Sequence, residues 1–279
     1  MTAEEYIRIG DLDGAMCTLR EAIKKDPADS KLRVFLFQLL SVNGDWEKAL
    51  TQLNLIADIS PDSMLLAQIF RPVIQCEALR AEVFAGKRSP LIFGEPQEWI
   101  GLLVHANSLS ATGKLREARE IMNRALEEAP AVGGCVNQHD FEWIADADSR
   151  LGPVLEAVID GKYYWVPFNR IARMDISRPS DLRDLVWISA TFTWANGGES
   201  SGLIPVRYAG SEASADSGIR LSRKTDWEDA GEGFFFGKGQ RLFATDAGEY
   251  PLLETLMVKF NHPVADDCDG DSRVEKQAR

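Results

Sequence analysis

Two stretches of the N-terminal half repeat at an interval of 34 residues. Residues 10–27 read GDLDGAMCTLREAIKKDP, and residues 44–61 read GDWEKALTQLNLIADISP. Gly10 is matched by Gly44, Leu12 by Trp46, Ala15 by Ala49, Leu19 by Leu53, Ala22 by Ile56 and Pro27 by Pro61. Each position has a mechanical reason. Glycine lets the chain turn between two helices at a backbone angle most residues avoid. The aspartate after it can cap the second helix. The small alanine lets that helix approach its partner, and the proline closes the unit because it continues a helix badly. A chain written this way folds as helical hairpins stacked side by side.

A third copy carries Gly113, Leu115, Ala118, Met122, Ala125 and Pro130, with its glycine 69 residues after Gly44, two periods plus one. The helix before it shows an apolar stripe of Trp99, Leu102, Leu103, Ala106 and Leu109, at the i, i+3, i+4, i+7 spacing of one helix face. A 34-residue period is that of tetratricopeptide repeats. Residues 62–95 lack the glycine turn. They predict a helix around Ile74–Ala85, starting near Pro72, and then a Gly-Lys-Arg-Ser-Pro break. Residues 1–130 are therefore expected to form a tetratricopeptide-like helical domain, three hairpins around one irregular unit.

The pattern changes near Pro130–Gly134. Residues 141–160 read as a leading helix that ends at Asp160-Gly161. Aromatic and β-branched runs follow at Tyr163–Phe168, Leu185–Trp194, Leu203–Tyr208, Phe234–Phe236 and Gln240–Ala244, bounded by Gly, Asn, Ser and Pro. Asn196-Gly197-Gly198 signals a hairpin turn. Weak helical periodicity favours a small, mainly antiparallel β-rich module over residues 131–262, and the fold class is α+β. Residues 209–232 read as a long mobile loop, and residues 263–279 as a disordered tail.

Charge narrows the function. With 31 basic and 43 acidic residues the formal charge is -12. Both halves share the excess: 15 basic against 19 acidic residues in 1–130, and 16 against 24 in 131–279. Nucleic-acid binding needs a basic footprint that this chain lacks. No apolar run approaches the roughly 20 residues of a membrane-spanning helix. Met-Thr-Ala-Glu-Glu-Tyr has neither the basic nor the apolar region of a signal peptide. Cys17, Cys76, Cys135 and Cys268 form no CxxC pair, so neither a zinc site nor a disulfide framework is indicated. These features predict a reduced, cytoplasmic protein without a cofactor.

Two clusters raise a hydrolase as the alternative. Gly198-Glu199-Ser200-Ser201-Gly202 matches G-x-S-x-G, with His262 downstream. That motif needs a strand, a sharp turn and a helix, whereas Leu-Ile-Pro-Val-Arg-Tyr continues as a strand. The hairpin reading leaves Ser200 without catalytic support. The run from His139 to Asp148 concentrates metal-ligand types, but few further histidines exist to complete a site. As a helix it would place Glu142, Asp146 and Arg150 on one exposed face. Asp266, Asp267 and Asp269 miss the calcium-loop spacing, and Gly237-Lys238-Gly239 is no phosphate-binding loop.

The block FEWIADADSRLGPVLE from Phe141, followed by GKYYWVPFNRI from Gly161, resembles the ImpE/TagJ family, also called SciE-type proteins. The repeats and the later DLRDLVW run fit as well, so the resemblance spans about residues 1–260. It implies a non-enzymatic accessory or adaptor protein of a bacterial type VI secretion system. Its implied partners are the small, TssB-like subunit of the contractile sheath and a ClpV-type disassembly ATPase. The signature positions carrying the resemblance are Phe141, Trp143, Asp146, Asp148, Arg150, Tyr163, Tyr164 and Pro167.

Two expectations about sites follow. Phe141, Trp143, Leu151, Tyr164 and Trp165 should pack the junction between the two parts, with Asp146, Asp148 and Arg150 at its edge. The first helix of each repeat should line a concave groove, where Arg33, Phe37 and Gln38 are candidates for holding an amphipathic partner helix; the alternative for Phe37, and the favoured one, is a place in the hydrophobic core.

Overall fold

The computed structural model of the chain describes residues 1–59 and 61–261, with the backbone alone at residues 61–63. The expected tail at 263–279, Cys268 and His262 lie outside the described residues. Helices α1 (Ala3–Ile9) and α2 (Leu12–Lys25) form the first hairpin, α3 (Ser30–Val42) and α4 (Trp46–Ile59) the second. After α5 (Pro61–Phe84), α6 (Glu98–Ala111) and α7 (Leu115–Glu128) form the third. The turns fall at Gly10, Gly44 and Gly113, with φ of 85°, 72° and 77°. Asp11 caps α2 by accepting from the Gly14 amide at 2.8 Å. Ala15, Ala49 and Ala118, the small repeat positions, are completely buried.

The irregular unit is one 24-residue helix, not a short helix starting at Pro72. Pro72 stands inside it and removes one helical hydrogen bond. The β-module accommodates the ring with a glycine: a Cβ on Gly161 would stand 2.9 Å from the Cβ of Pro72. The Cys76 thiol donates to the Gly161 carbonyl at 3.4 Å.

The strands in chain order are β1 (Leu91–Ile92), β2 (Gly134–Val136), β3 (His139–Phe141), β4 (Ile144–Asp146), β5 (Val154–Ile159), β6 (Lys162–Pro167) and β7 (Ile171–Ile176). Then come β8 (Trp187–Trp194), β9 (Glu199–Pro205), β10 (Thr225–Gly231), β11 (Phe234–Gly239), β12 (Leu242–Thr245), β13 (Gly248–Pro251) and β14 (Met257–Phe260). Nine form one sheet in the order β1-β6-β5-β9-β8-β7-β14-β2-β3. Every pairing is antiparallel except β1 with β6. A three-stranded sheet, β13-β12-β4, and the ribbon β10-β11 complete the module. Strand β1 comes from the helical half, so the expected boundary at residue 130 is crossed by a strand that joins the module's sheet edge.

Strand β5 is buried along its whole length. Val154 and Val158 join the core shared with the helices, while Leu155, Ala157 and Ile159 join the core inside the β-module. That two-sided burial corrects the helix expected over 141–160. Val-Leu-Glu-Ala-Val-Ile carries no alternation, and such a run cannot be told from a buried helix by periodicity alone. The loop expected over 209–232 is also corrected. It contains a short helix, α8 (Ser217–Arg220), and strand β10, and its Arg220 and Arg223 bond the helical array. Among the described residues no helix is long and apolar enough to cross a membrane.

Two glycines separate backbone strain from crowding. Gly113 has nothing within 4 Å of an added Cβ, whereas at Gly239, also at positive φ, a Cβ would stand 2.1 Å from the Lys224 carbonyl oxygen. Gly113→Ala should cost about 1 kcal/mol from its left-handed backbone alone. Gly239→Ala should cost about 3 kcal/mol or more, since backbone must also move. Urea denaturation of both variants checks the ranking.

Candidate functional site

The β-module covers part of the helical array. The last carbonyls of a helix have no partner within the helix, and here arginines from the β-module take them. Arg223 donates to the carbonyls of Ile7 and Arg8 at the end of α1, at 2.7 and 3.0 Å. Arg207 donates to those of Val42 and Ser41 at the end of α3, at 2.6 and 3.2 Å. Arg220 reaches Asn43 Oδ1 at 3.0 Å. A positive group there is also favoured by the helix dipole. Burial pulls the Arg207 guanidinium down to about 10, so it stays charged at neutral pH. Trp187 adds apolar contact, its ring 5.6 Å from Trp46 and 5.8 Å from Phe70.

What remains open is a groove of about 830 Å³ between α1, α3 and the segment 179–185. Ile7, Leu32, Phe35, Leu182 and Leu185 supply its apolar wall, and Glu4, Lys31 and Asp181 charged positions along it. Of the three residues expected to face a partner, Gln38 lines this groove, but its Oε1 already accepts from the Leu182 amide at 3.1 Å. Phe37 is a core residue, its alternative place, and no partner contact: it is fully buried, 5.7 Å from Phe70. Arg33 is turned away, donating to the Pro27 carbonyl at 2.7 Å and to Gln52 at 3.3 Å. Successive helix residues point about 100° apart, so Phe35, two residues before Phe37, is the half-buried side chain that lines the groove.

The signature positions and the residues expected at the junction separate. Leu151, Tyr163 and Trp165 lie in the core shared with the helices, with Trp165 6.2 Å from Phe84. Phe141, Tyr164 and Pro167 belong to the β-module instead. Phe141 meets Phe260 at 6.2 Å, Tyr164 meets Phe93 at 5.6 Å, and Pro167 pairs with Val154. Trp143 packs into neither core and is 42% exposed, which corrects its expected place in the junction.

Asp146, Asp148 and Arg150 are not at an edge. Asp146 and Asp148 are buried at 3% and 0% exposure. The helix that would have exposed them is strand β4 and a tight turn. Asp148 holds Arg150 through a two-pronged pair at 2.8 and 2.5 Å and accepts from the Gly237 amide at 2.8 Å. Arg150 lies over the rings of Phe84 and Phe236, 4.7 and 4.4 Å from their centres. Asp146 pairs with Arg241, which also pairs with Glu156 on β5. Glu156 takes both prongs of Arg80 from α5 at 2.6 and 3.0 Å, and the Tyr163 hydroxyl at 2.5 Å. Arg80 continues to Glu77, whose Oε1 accepts from Trp187 Nε1 at 2.6 Å. Four carboxylates and three guanidiniums thus form one polar spine, and the Arg207 backbone carbonyl joins it by accepting from Arg80 at 2.7 Å.

Burial alone would raise Glu156, but Arg80 and Arg241 outweigh it and hold the carboxyl at about 2. At Asp146 burial dominates: Arg241 is shared with Glu156, and the neighbouring Asp148 charge adds to the upward push, to about 7. Arg80, Glu156, Arg207 and Arg241 were absent from the sequence expectation. A charge inside an otherwise apolar strand run, as Glu156 in Val154–Ile159, was the available sign.

Among the described residues, which exclude His262, the hydrolase candidates do not assemble. Ser200 lies on β9 of the β8–β9 hairpin, as expected, and its Oγ accepts from Trp194 Nε1 at 3.1 Å. His139 and Asp140 stand on β3 at the end of the large sheet, while Asp146 is on β4 of the other sheet. Among the described residues no group of three or more His, Cys, Asp or Glu can hold a metal ion.

This geometry defines a class: a tetratricopeptide-type helical array locked onto an antiparallel β-module through a buried charge spine. The chain belongs to the ImpE family. The family model described as ImpE protein matches residues 138–259, and that described as tetratricopeptide repeat matches residues 7–69. The chain is 45% identical over 260 residues to the Type VI secretion system accessory component TagJ of Pseudomonas aeruginosa, covering 93% of this chain and 91% of that protein. It also superposes on the X-ray structure of a Vibrio parahaemolyticus protein with a TM-score of 0.86 and 26% identity, covering 94% of this chain and 98% of that one.

The spine makes acid stability depend on Glu156. Its folded pKa of about 2 lies below the model-compound value of 4.5. Its stabilisation is therefore complete above about pH 4.5 and lost as pH falls towards 2. Glu156→Gln should remove that acid-side slope. It should also cost about 3–5 kcal/mol at neutral pH, since two arginines lose their shared partner. Chemical denaturation from pH 3 to 7 measures both effects.

Proposed function

We propose that this chain is a non-catalytic accessory component of a type VI secretion system, working in the bacterial cytoplasm. It holds a helix of the sheath's small, TssB-like subunit in the groove between α1, α3 and residues 179–185. The observation that carries this reading is that groove, a part of the helical array not covered by the β-module. It pairs an apolar wall of Ile7, Leu32, Phe35 and Leu182 with charged positions at Glu4, Lys31 and Asp181. Such a surface suits an amphipathic helix, whose apolar anchors fill the wall and whose polar flanks set its orientation. Family membership beside a protein named as a type VI accessory component supports the same assignment. A ClpV-type ATPase is the second proposed partner, bound away from the groove so that the chain links the two.

A labelled peptide of the sheath subunit's N-terminal helix, titrated against the full chain, tests the groove. Phe35→Ala should weaken binding by about 2 kcal/mol, roughly thirtyfold. Arg33→Glu should leave it unchanged, because that guanidinium faces Pro27 and Gln52. Circular dichroism establishes that both variants are folded. Unaltered affinity in folded Phe35→Ala places the peptide elsewhere, and no binding to the wild-type chain removes the sheath helix as the ligand.

A further inference from the structure

Of the chain's seven tryptophans, Trp143 stands out as exposed, at 42%. It forms one wall of a cleft of about 430 Å³ between α7 and β4. The opposite wall includes Leu126, itself 44% exposed, and Met122, Ile144 and Ala145 line the space between. Helix α7 approaches the 149–153 turn because residue 152 is glycine: an added Cβ would stand 3.2 Å from the Leu126 side chain. An exposed tryptophan and a second exposed apolar side chain lining one cleft suit protein docking, since tryptophan is enriched in binding hot spots and exposed apolar patches mark interaction sites.

The rim is acidic. Glu142 precedes Trp143 and is exposed. The exposed Asp246 accepts from the Glu142 amide at 2.8 Å and the Trp143 amide at 3.5 Å, which fixes the turn presenting the indole. Ala145, Ala244 and Glu249 are directly paired across β4, β12 and β13. Paired residues project to one face, so Glu249 shares the face on which Ala145 lines the cleft. The basic residues nearby are engaged. Arg119 donates to the Glu232 carbonyl at 2.8 Å and covers the Phe234 ring, Arg150 in the adjoining turn is held by Asp148, and Arg124 pairs with Glu128 at 3.9 Å.

A small polar ligand is disfavoured. The carboxylates of Asp146 and Asp148 behind the cleft are taken by Arg241 and Arg150. Among the described residues the buried polar atoms lacking a partner are on Asn107, Asn169, Arg170 and Arg220, none of which lines the cleft. A second copy is opposed by like charge, since each chain carries -12.

We propose that the Trp143–Leu126 cleft is a second protein-docking site, which takes a basic segment of a partner inserting one large apolar side chain between those two residues. It shares no residue with the α1–α3 groove, so it stands whether or not that groove binds a sheath helix. Opposite charge around an apolar anchor speeds encounter and selects the partner, while the anchor supplies most of the affinity.

The test pans a displayed library of random twelve-residue peptides on the full chain, in parallel with Trp143→Ala, a truncation at an exposed position. The expected enrichment, on the wild type alone, is of sequences with a Leu, Met, Phe or Trp flanked by Lys or Arg. The best peptide is then titrated by tryptophan fluorescence. Trp143→Ala and Leu126→Ala should each weaken it at least tenfold, and Glu142→Gln with Glu249→Gln should weaken it and flatten its salt dependence. No enrichment, neutral or acidic winners, or equal enrichment on Trp143→Ala overturns the proposal. So does self-association of the wild type that Trp143→Ala abolishes, which would make a second copy the occupant.

Discussion

Glu156 sits in the middle of a strand buried on both faces, and the structure is arranged to keep it charged there. Arg80 comes to it from the long helix α5 and Arg241 from the strand β12 approach, so one carboxylate ties the helical array to both sheets. A lone buried carboxylate would cost far more than a domain's net stability and would take up a proton instead. Two shared guanidiniums reverse that and make the relative position of the three layers specific. Replacing the spine with apolar side chains could be neutral for stability. Its contribution is geometric: this docking of array on module pairs Glu77, Glu156 and Asp146 together.

The same logic explains why the repeat array does not behave as a free-standing groove. A tetratricopeptide stack ends each helix with unpaired carbonyls, and the β-module supplies arginines to α1 and α3 for them. In doing so it covers part of the array and leaves the groove beside Phe35 and Leu182 open. On the other side, the ribbon β10-β11 packs along α7 through Arg119 and leaves Trp143 uncovered. The module is therefore both a clamp on the array and the element that decides which surfaces partners can reach.

The helical hairpins were legible because their information is local. A glycine at positive φ, an aspartate cap and a buried alanine act within one turn of where they stand, and the 34-residue period repeats them. The hairpin at Asn196–Gly198 was readable for the same reason. Strand β5 was not, since two-sided burial erases the alternation that marks a strand. Pro72 looked like a helix start because the glycine that makes room for it lies 89 positions later, at Gly161. Residues 209–232 looked like a loop because the groups that their arginines serve, the α1 carbonyls for Arg223 and the Asn43 side chain for Arg220, are distant in sequence.

The candidate sites divide along the same line. Residue order alone determined the repeat class, the acidic balance, the weakness of the Ser200 motif and the kinship carried by the blocks at Phe141–Glu156 and Gly161–Ile171. Tertiary structure decided that Phe37 is core while Phe35 lines the groove, that Arg33 turns away, and that Asp146 and Asp148 are buried while Trp143 beside them is exposed. Those outcomes depend on which distant surface packs against each residue. Periodicity reports the face of an element, whereas burial and charge pairing are set by the elements that cover it.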